Sequence, residues 1–298
     1  MRIYQSSITS AVLAELYKRN QEIKINVLRS YRTDGPETLR LLQDAPENIN
    51  SLILDSGVWA LNQGTLKHKS TVKTYEKFLS RNKESFDFYF NFDEKFDGDP
   101  LEVNWANQIY LEKKGYFPVP VIHSFEKEEL DHFKNLREKY ERIAIGSTMT
   151  KNENELKDVV ERLKDLGYKV HVFAYGSYKK LIDLKAWSTD CSSFAQWVAS
   201  GRVIFFSKIR DKEVTFSFFP EDGSGEPNED YIYSSKFVDR DIILEEYQDY
   251  IYQNLGFNEN DIFTETSNRI AANAFYFSTL EKLITEKQKK DGVVFDVW

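Results

Sequence analysis

Short runs of β-branched and aromatic residues alternate along this chain with stretches of helical period. The runs are IKINVLRS around Ile25, NSLILDS around Ile53, FDFYFNFDE around Phe90, FPVPVIHS around Val121, RIAIGS around Ile145, KVHVFAY around Val172, KAWSTDCSS around Ser188 and RVIFFS around Ile204. Most are apolar at successive positions, as strands covered on both faces must be, and this predicts a parallel sheet. Between them, NENELKDVVERLKDLG sets Leu156, Val159, Val160 and Leu163 on one helical face and stops at Gly167. Eight such units predict an α/β fold, a (β/α)8 TIM-like barrel over residues 1–210, with all the strand C-termini on one rim. An open doubly wound sheet shares the same alternation and is the alternative architecture.

Past Ser207 the alternation stops. VTFSFF reads as a C-terminal strand, EDGSGEPNED as a surface loop, and the remainder as helices, so residues 211–298 are expected to form a helical extension packed on the barrel. In the last helix Ile270, Ala274, Phe277 and Leu280 fall three to four residues apart, a core-facing stripe that needs no functional explanation.

A chain of 298 residues with 41% hydrophobic and 15% aromatic residues can bury a large core throughout, and it carries no Pro-, Gly- or Ser-rich linker. The formal charge of −8 argues against a protein that grips phosphate backbones over its whole surface. Nucleic-acid contact would need a local basic patch, with candidates at Arg29 with Arg32, Lys67 with Lys69, Lys208 with Arg210 and Lys212, and Lys287 to Lys290. The last of these also reads as a solvated helix end. The single cysteine, Cys191, excludes an internal disulfide and a multi-cysteine zinc site. No metal or other cofactor is expected. The N-terminal residues lack a signal-peptide core and no apolar run reaches membrane-spanning length, so a cytoplasmic protein without membrane attachment is expected.

The predicted rim collects Arg29, Asp55, Asp93, His123, Ser147, Tyr175 and Asp190. Asp55 ends an apolar strand at LILDSG and taken alone reads equally as a helix cap or a catalyst. Asp93 and Glu94 end FYFNFDE in the same way, whereas Asp97 and Asp99 read as a solvated acidic turn. Three carboxylates from separate strands, Asp55, Asp93 and Asp190, together with His123 and His171, favour a site over isolated salt bridges. His171 lies early in its strand and reads as a packed histidine. His123 lies at the rim end, where a pocket role and a buried neutral ring are both open. Cys191 points away from Asp190 along the strand and reads as an inert thiol. Gly146 and Gly176 each follow a strand, where a missing side chain admits a flat ligand or simply suits a turn. No Walker or dinucleotide fingerprint occurs.

In order and strand position, LILDSG, FNFDE, PVIHS, IAIGS, VHVFAYG and STDCSS resemble the tRNA-guanine transglycosylase family over roughly residues 23–207. That resemblance implies a barrel in which Asp55 is the acid/base group of a DSG turn with Ser56 beside it in the substrate pocket. By the same resemblance Asp190 is the nucleophile, Asp93 and Glu94 contact the base, and Gly146 and Gly176 line the base pocket. His123 stands where the family carries a base-contacting glutamine, and Val58 where it has a second glycine. The chain also lacks the family's three-cysteine, one-histidine zinc module. It looks more like the small, zinc-free branch of phages and of bacterial DNA modification or defence.

On this reading Asp190 attacks or stabilises C1′ and Asp55 transfers the proton, while Asp93 and His123 read an extruded base. The expected partner is nucleic acid, DNA rather than tRNA. The expected activity is that of a DNA glycosylase removing a modified base; base exchange installing a 7-deazaguanine is the alternative. A carbohydrate glycosidase, a metal-dependent hydrolase and a catalytically inactive nucleic-acid-binding module are the rivals from other classes.

Overall fold

The computed structural model describes residues 1–32, 34–44, 46–59, 70–96, 99–196, 198, 201–217 and 240–293. Eight strands form one all-parallel sheet. They are β1 (Arg2–Ser6), β2 (Ile25–Ser30), β3 (Ile49–Asp55), β4 (Phe88–Tyr89), β5 (Val121–Ile122), β6 (Arg142–Ile145), β7 (Lys169–Val172) and β8 (Ser188–Cys191). Their order is β4-β3-β2-β1-β8-β7-β6-β5. The outer strands meet through a parallel bridge between Phe90 and Val119, where Asn91 N–H donates to Val119 O at 3.0 Å and Val119 N–H to Tyr89 O at 2.8 Å. The sheet therefore curls round as a (β/α)8 TIM-like barrel, and the direct pairing of β1 with β8 rules out the open doubly wound order.

The helices α1 (Ser10–Arg19), α2 (Gly35–Asp44), α3 (Val72–Asn82), α4 (Pro100–Lys113), α5 (Lys127–Lys134), α6 (Glu153–Asp165), α7 (Tyr178–Asp183) and α8 (Ser193–Gln196) follow the strands in turn. The predicted stripe on α6 is buried at Leu156, Val159, Val160 and Leu163. Asn152 caps its first turn by accepting from Glu155 N–H, and Gly167 ends it at φ 91°.

Strand membership differs from the sequence reading by one place. RIYQS is the first strand, and RVIFFS is β9 (Arg202–Ser207), which pairs antiparallel with β10 (Lys212–Ser217) outside the barrel. Polar residues hid β1. Gln5 is buried because its Nε2 donates to Ala274 O at 2.7 Å, and Ile3 N–H donates to Glu281 Oε2 at 2.7 Å. Both partners lie on the long terminal helix, which follows α9 (Arg240–Leu255) and α10 (Glu259–Thr264) and is α11 (Thr266–Lys290). In the outer layer α11 packs against β1, α1 and α8. It is buried continuously from Ala271 to Phe277, with Ile270 half-buried at the margin of its stripe. The predicted loop at 221–230 lies outside the described residues.

Period-two alternation sorts the strand side chains. Tyr4, Leu28, Ile53, Phe90, Val121 and Ala144 pack together inside the barrel, while their neighbours pack outward against the helices. Two residues further along, Ile53 is followed by Asp55, Val121 by His123 and Ala144 by Gly146. The inward rows thus change from apolar to polar on reaching the C-terminal rim.

Candidate functional site

At that rim lies a cavity of about 570 Å³. Asp55, Asp93, His123 and Asp190 all line it, together with Gly146 and Ser147, so the carboxylates expected from separate strands do converge. Aromatic rings of Trp59, Phe96 and Phe173 supply apolar wall, a combination of apolar faces and a few polar groups that suits a flat ligand.

Asp55 extends from the end of β3. Its Oδ2 accepts Gly57 N–H at 3.1 Å, which closes the DSG turn. Gly57 has φ 75°, and a Cβ there would stand 2.4 Å from Ser30 Oγ, so the turn that presents the carboxyl requires glycine. Burial, then the Asp93 charge, push the Asp55 carboxyl up to about 8, with Asp190 adding to the effect against the Gly57 and Ser56 N–H groups. Asp55 therefore keeps its proton at neutral pH, as a general acid must.

Asp93 is fixed on both sides. Ser56 Oγ–H donates to Oδ1 at 3.0 Å and the His123 Nε2–H donates to Oδ2 at 2.7 Å. The His123 ring stacks on Phe96 at 4.6 Å between centroids, its backbone N–H donates to Glu129 Oε1 at 3.1 Å, and its Nδ1 is buried without a hydrogen bond. A Cβ on Gly146 would meet Nδ1 at 2.6 Å, so Gly146 is what allows the imidazole to lie flat beside Asp93. His123 consequently orients Asp93, and its hydrogen-bonding edge is already engaged rather than turned to a base.

Asp190, on β8, receives Ala174 N–H on Oδ1 at 2.8 Å. Ala174 sits at φ 55°, a left-handed conformation costly for an L-residue, and it is this conformation that turns its N–H onto the carboxylate. His171 Nε2 lies 3.7 Å from the same oxygen, beyond hydrogen-bond range, while its Nδ1 pairs with Ser188 Oγ at 2.8 Å. Burial pushes the His171 pKa down against the opposing pull of Asp190, which fits the packed, neutral histidine expected from its early position.

Five predicted site residues stand outside the cavity lining. Arg29 is buried beneath the rim and donates to the Ile8 carbonyl, so it serves the fold rather than a ligand. Tyr175 points into the hydrophobic core. Gly176 lies against Cys191, whose Cβ a side chain there would meet at 2.3 Å. Burial pushes the Cys191 thiol up, consistent with the inert reading. Glu94 is exposed outside the cavity lining and accepts from Asn107 Nδ2 at 3.0 Å. Ser56 is fully buried and acts through Asp93.

Of the candidate basic groups, Lys67 and Lys69 lie outside the described residues, as does Asp97. Lys208, Arg210 and Lys212 ring the β9–β10 turn, where Asp211 feels the charge of Lys287 at the end of α11. That end is remote from the rim, since neighbouring Gln288 donates to the Leu181 and Leu184 carbonyls, which precede β8. The sequence reading missed Trp59, Phe96, Phe173, Ala174 and Lys151. Only Phe173 carried a signal, its even spacing from His171.

Among the described residues no group of His, Cys, Asp and Glu is arranged to hold a metal ion, and no helix is long and apolar enough to cross a membrane. No family model and no curated protein matches the chain. Among solved structures it is similar to the Rhizobium etli pyruvate carboxylase T882A with the allosteric activator acetyl coenzyme-A, at 11% identity and a TM-score of 0.43. The match covers 98% of this chain but 31% of that one, and a likeness of this size carries no argument about function.

Proposed function

We propose that the protein is an N-glycosylase that cleaves the bond between C1′ and a base in a nucleotide extruded from DNA. The observation that carries this reading is the convergence of Asp55, Asp93 and Asp190 on one aromatic-walled cavity, with Asp55 protonated at neutral pH. The likeness of the LILDSG, FNFDE and STDCSS segments to tRNA-guanine transglycosylases points to the same bond.

Cleavage builds positive charge on the sugar and negative charge on the leaving base, and these need different neighbours. Asp190, held by Ala174 N–H, is the carboxylate beside C1′, and Asp55 is the proton donor. As the C1′–N bond breaks, the Asp190 oxygen bonds to C1′ and the Asp55 proton passes to the base nitrogen. Water then attacks C1′, its proton goes to Asp55, and the C1′–O bond to Asp190 breaks, leaving an abasic sugar. Asp93, fixed by Ser56 and His123, keeps the Asp55 proton in place and offers its remaining lone pairs to the base edge.

Incubation with modified phage DNA, host DNA and tRNA, followed by mass spectrometry of released bases and an alkali-cleavage assay, tests this. Free base and alkali-labile sites should accumulate together from DNA. Incorporation of labelled base without abasic sites would make the enzyme a transglycosylase, and neither product from any substrate would remove N-glycosidic chemistry altogether.

A further inference from the structure

An extruded nucleotide brings its phosphates to the mouth of the cavity, where the Asp93 and Asp190 carboxylates repel them. Among the described lining residues the only lysine or arginine is Lys151. It ends a 3₁₀ turn, Ser147–Lys151, that springs from β6 immediately after Gly146 and places Ser147 and Thr148 in the same wall. Neighbouring cations are committed elsewhere: Lys180 pairs with Glu153 at 2.9 Å and Lys157 with Asp183 at 3.3 Å. Lys151 is exposed and has no ion pair among the described residues, and Thr148 Oγ1 is enclosed without a hydrogen-bond partner. The α6 N-terminus that follows is not itself the anion site, because Asn152 caps it and Glu153 and Glu155 occupy its first turn.

We propose that Lys151, with the Ser147 and Thr148 hydroxyls, is the phosphate anchor of the nucleotide site, an assignment that rests on the nucleotide reading above. A single ammonium at the mouth holds the backbone while leaving the acidic interior to the base and sugar. It also explains how a chain of charge −8 meets a polyanion without a broad basic face.

The test is the salt dependence of binding to a labelled single-stranded DNA of about 20 nucleotides, long enough to exceed one binding site. Replacing Lys151 by alanine should lower the slope of log Kd against log salt by about 0.7, one phosphate contact on a single strand, and weaken binding alike for all sequences. Lys151→Arg should restore the slope, and Lys151→Glu should weaken binding further. Because Lys151 is exposed, all three variants should melt with the wild type. Parallel salt plots for wild type and Lys151→Ala, with binding intact, would overturn the anchor alone. Absence of salt-dependent DNA binding by the wild type would overturn the nucleotide reading with it.

Discussion

Replacing Asp55 by asparagine should stabilise the protein above neutral pH while removing its acid catalysis. The wild-type carboxyl lies at about 8 in the fold against an ordinary 3.8, because burial and the Asp93 charge oppose ionisation. A raised folded value means that the unfolded chain loses this proton first. The contribution of Asp55 to stability is therefore fully present below about pH 4 and drains away as pH climbs to about 8. At about 1.4 kcal/mol per unit the four-unit gap sets a ceiling near 6 kcal/mol. Between about pH 5 and about pH 8, three of those four units, up to about 4 kcal/mol is the expected loss. Asparagine keeps an oxygen for the Gly57 N–H but has nothing to ionise. Urea unfolding of both proteins at about pH 5 and about pH 8 measures the difference, with m-values checked for constancy. The variant should gain up to about 4 kcal/mol on the wild type over that interval and lose about 10²–10⁴-fold in turnover. Wild-type turnover should itself fall as pH rises through about 8, since the acid is then ionised. Stability curves that stay parallel across pH would refute the argument that Asp55 is held protonated.

Asp190→Asn should reduce base release by a factor on the order of 10³–10⁶ while DNA binding stays within a few fold, measured by single-turnover kinetics and by fluorescence anisotropy. In Gly146→Ala the new methyl would stand 2.6 Å from His123 Nδ1 and tilt the ring off Asp93. A stability loss of about 1–3 kcal/mol by chemical denaturation should accompany a turnover loss that KM does not share. Trp59 is 53% exposed at the cavity mouth, so Trp59→Ala should leave Tm unchanged and weaken binding of DNA by about 1–3 kcal/mol, the worth of one stacked base, in titration calorimetry.

Much of the site was legible because strands advertise themselves. An apolar run that ends in Asp55, His123 or Asp190 places a polar group at a strand terminus, and in a barrel every such terminus opens on one rim. The same logic misplaced Arg29 and Tyr175. Arg29 follows the inward-facing Leu28 and so turns outward to the Ile8 carbonyl, while the left-handed Ala174 breaks the alternation before Tyr175. Trp59, Phe96 and Lys151 lie past the strand ends, where strand alternation no longer fixes direction, and the left-handed Ala174 occupies a conformation its type does not announce. The first strand escaped notice because Gln5 looks wrong for a core until Ala274 of α11, 269 residues away, accepts its amide hydrogen.

The sequence by itself determined the alternation of strands and helices, hence the α/β class, the covered faces of the sheet and the common end to which its acids run, because period and polarity are local properties of the chain. Tertiary structure alone decided which eight strands close the barrel, that His123 serves Asp93, and that Asp55 keeps its proton. Closure, hydrogen-bond partnership and desolvation depend on residues far apart in sequence, and they exist only once the chain has brought those residues together.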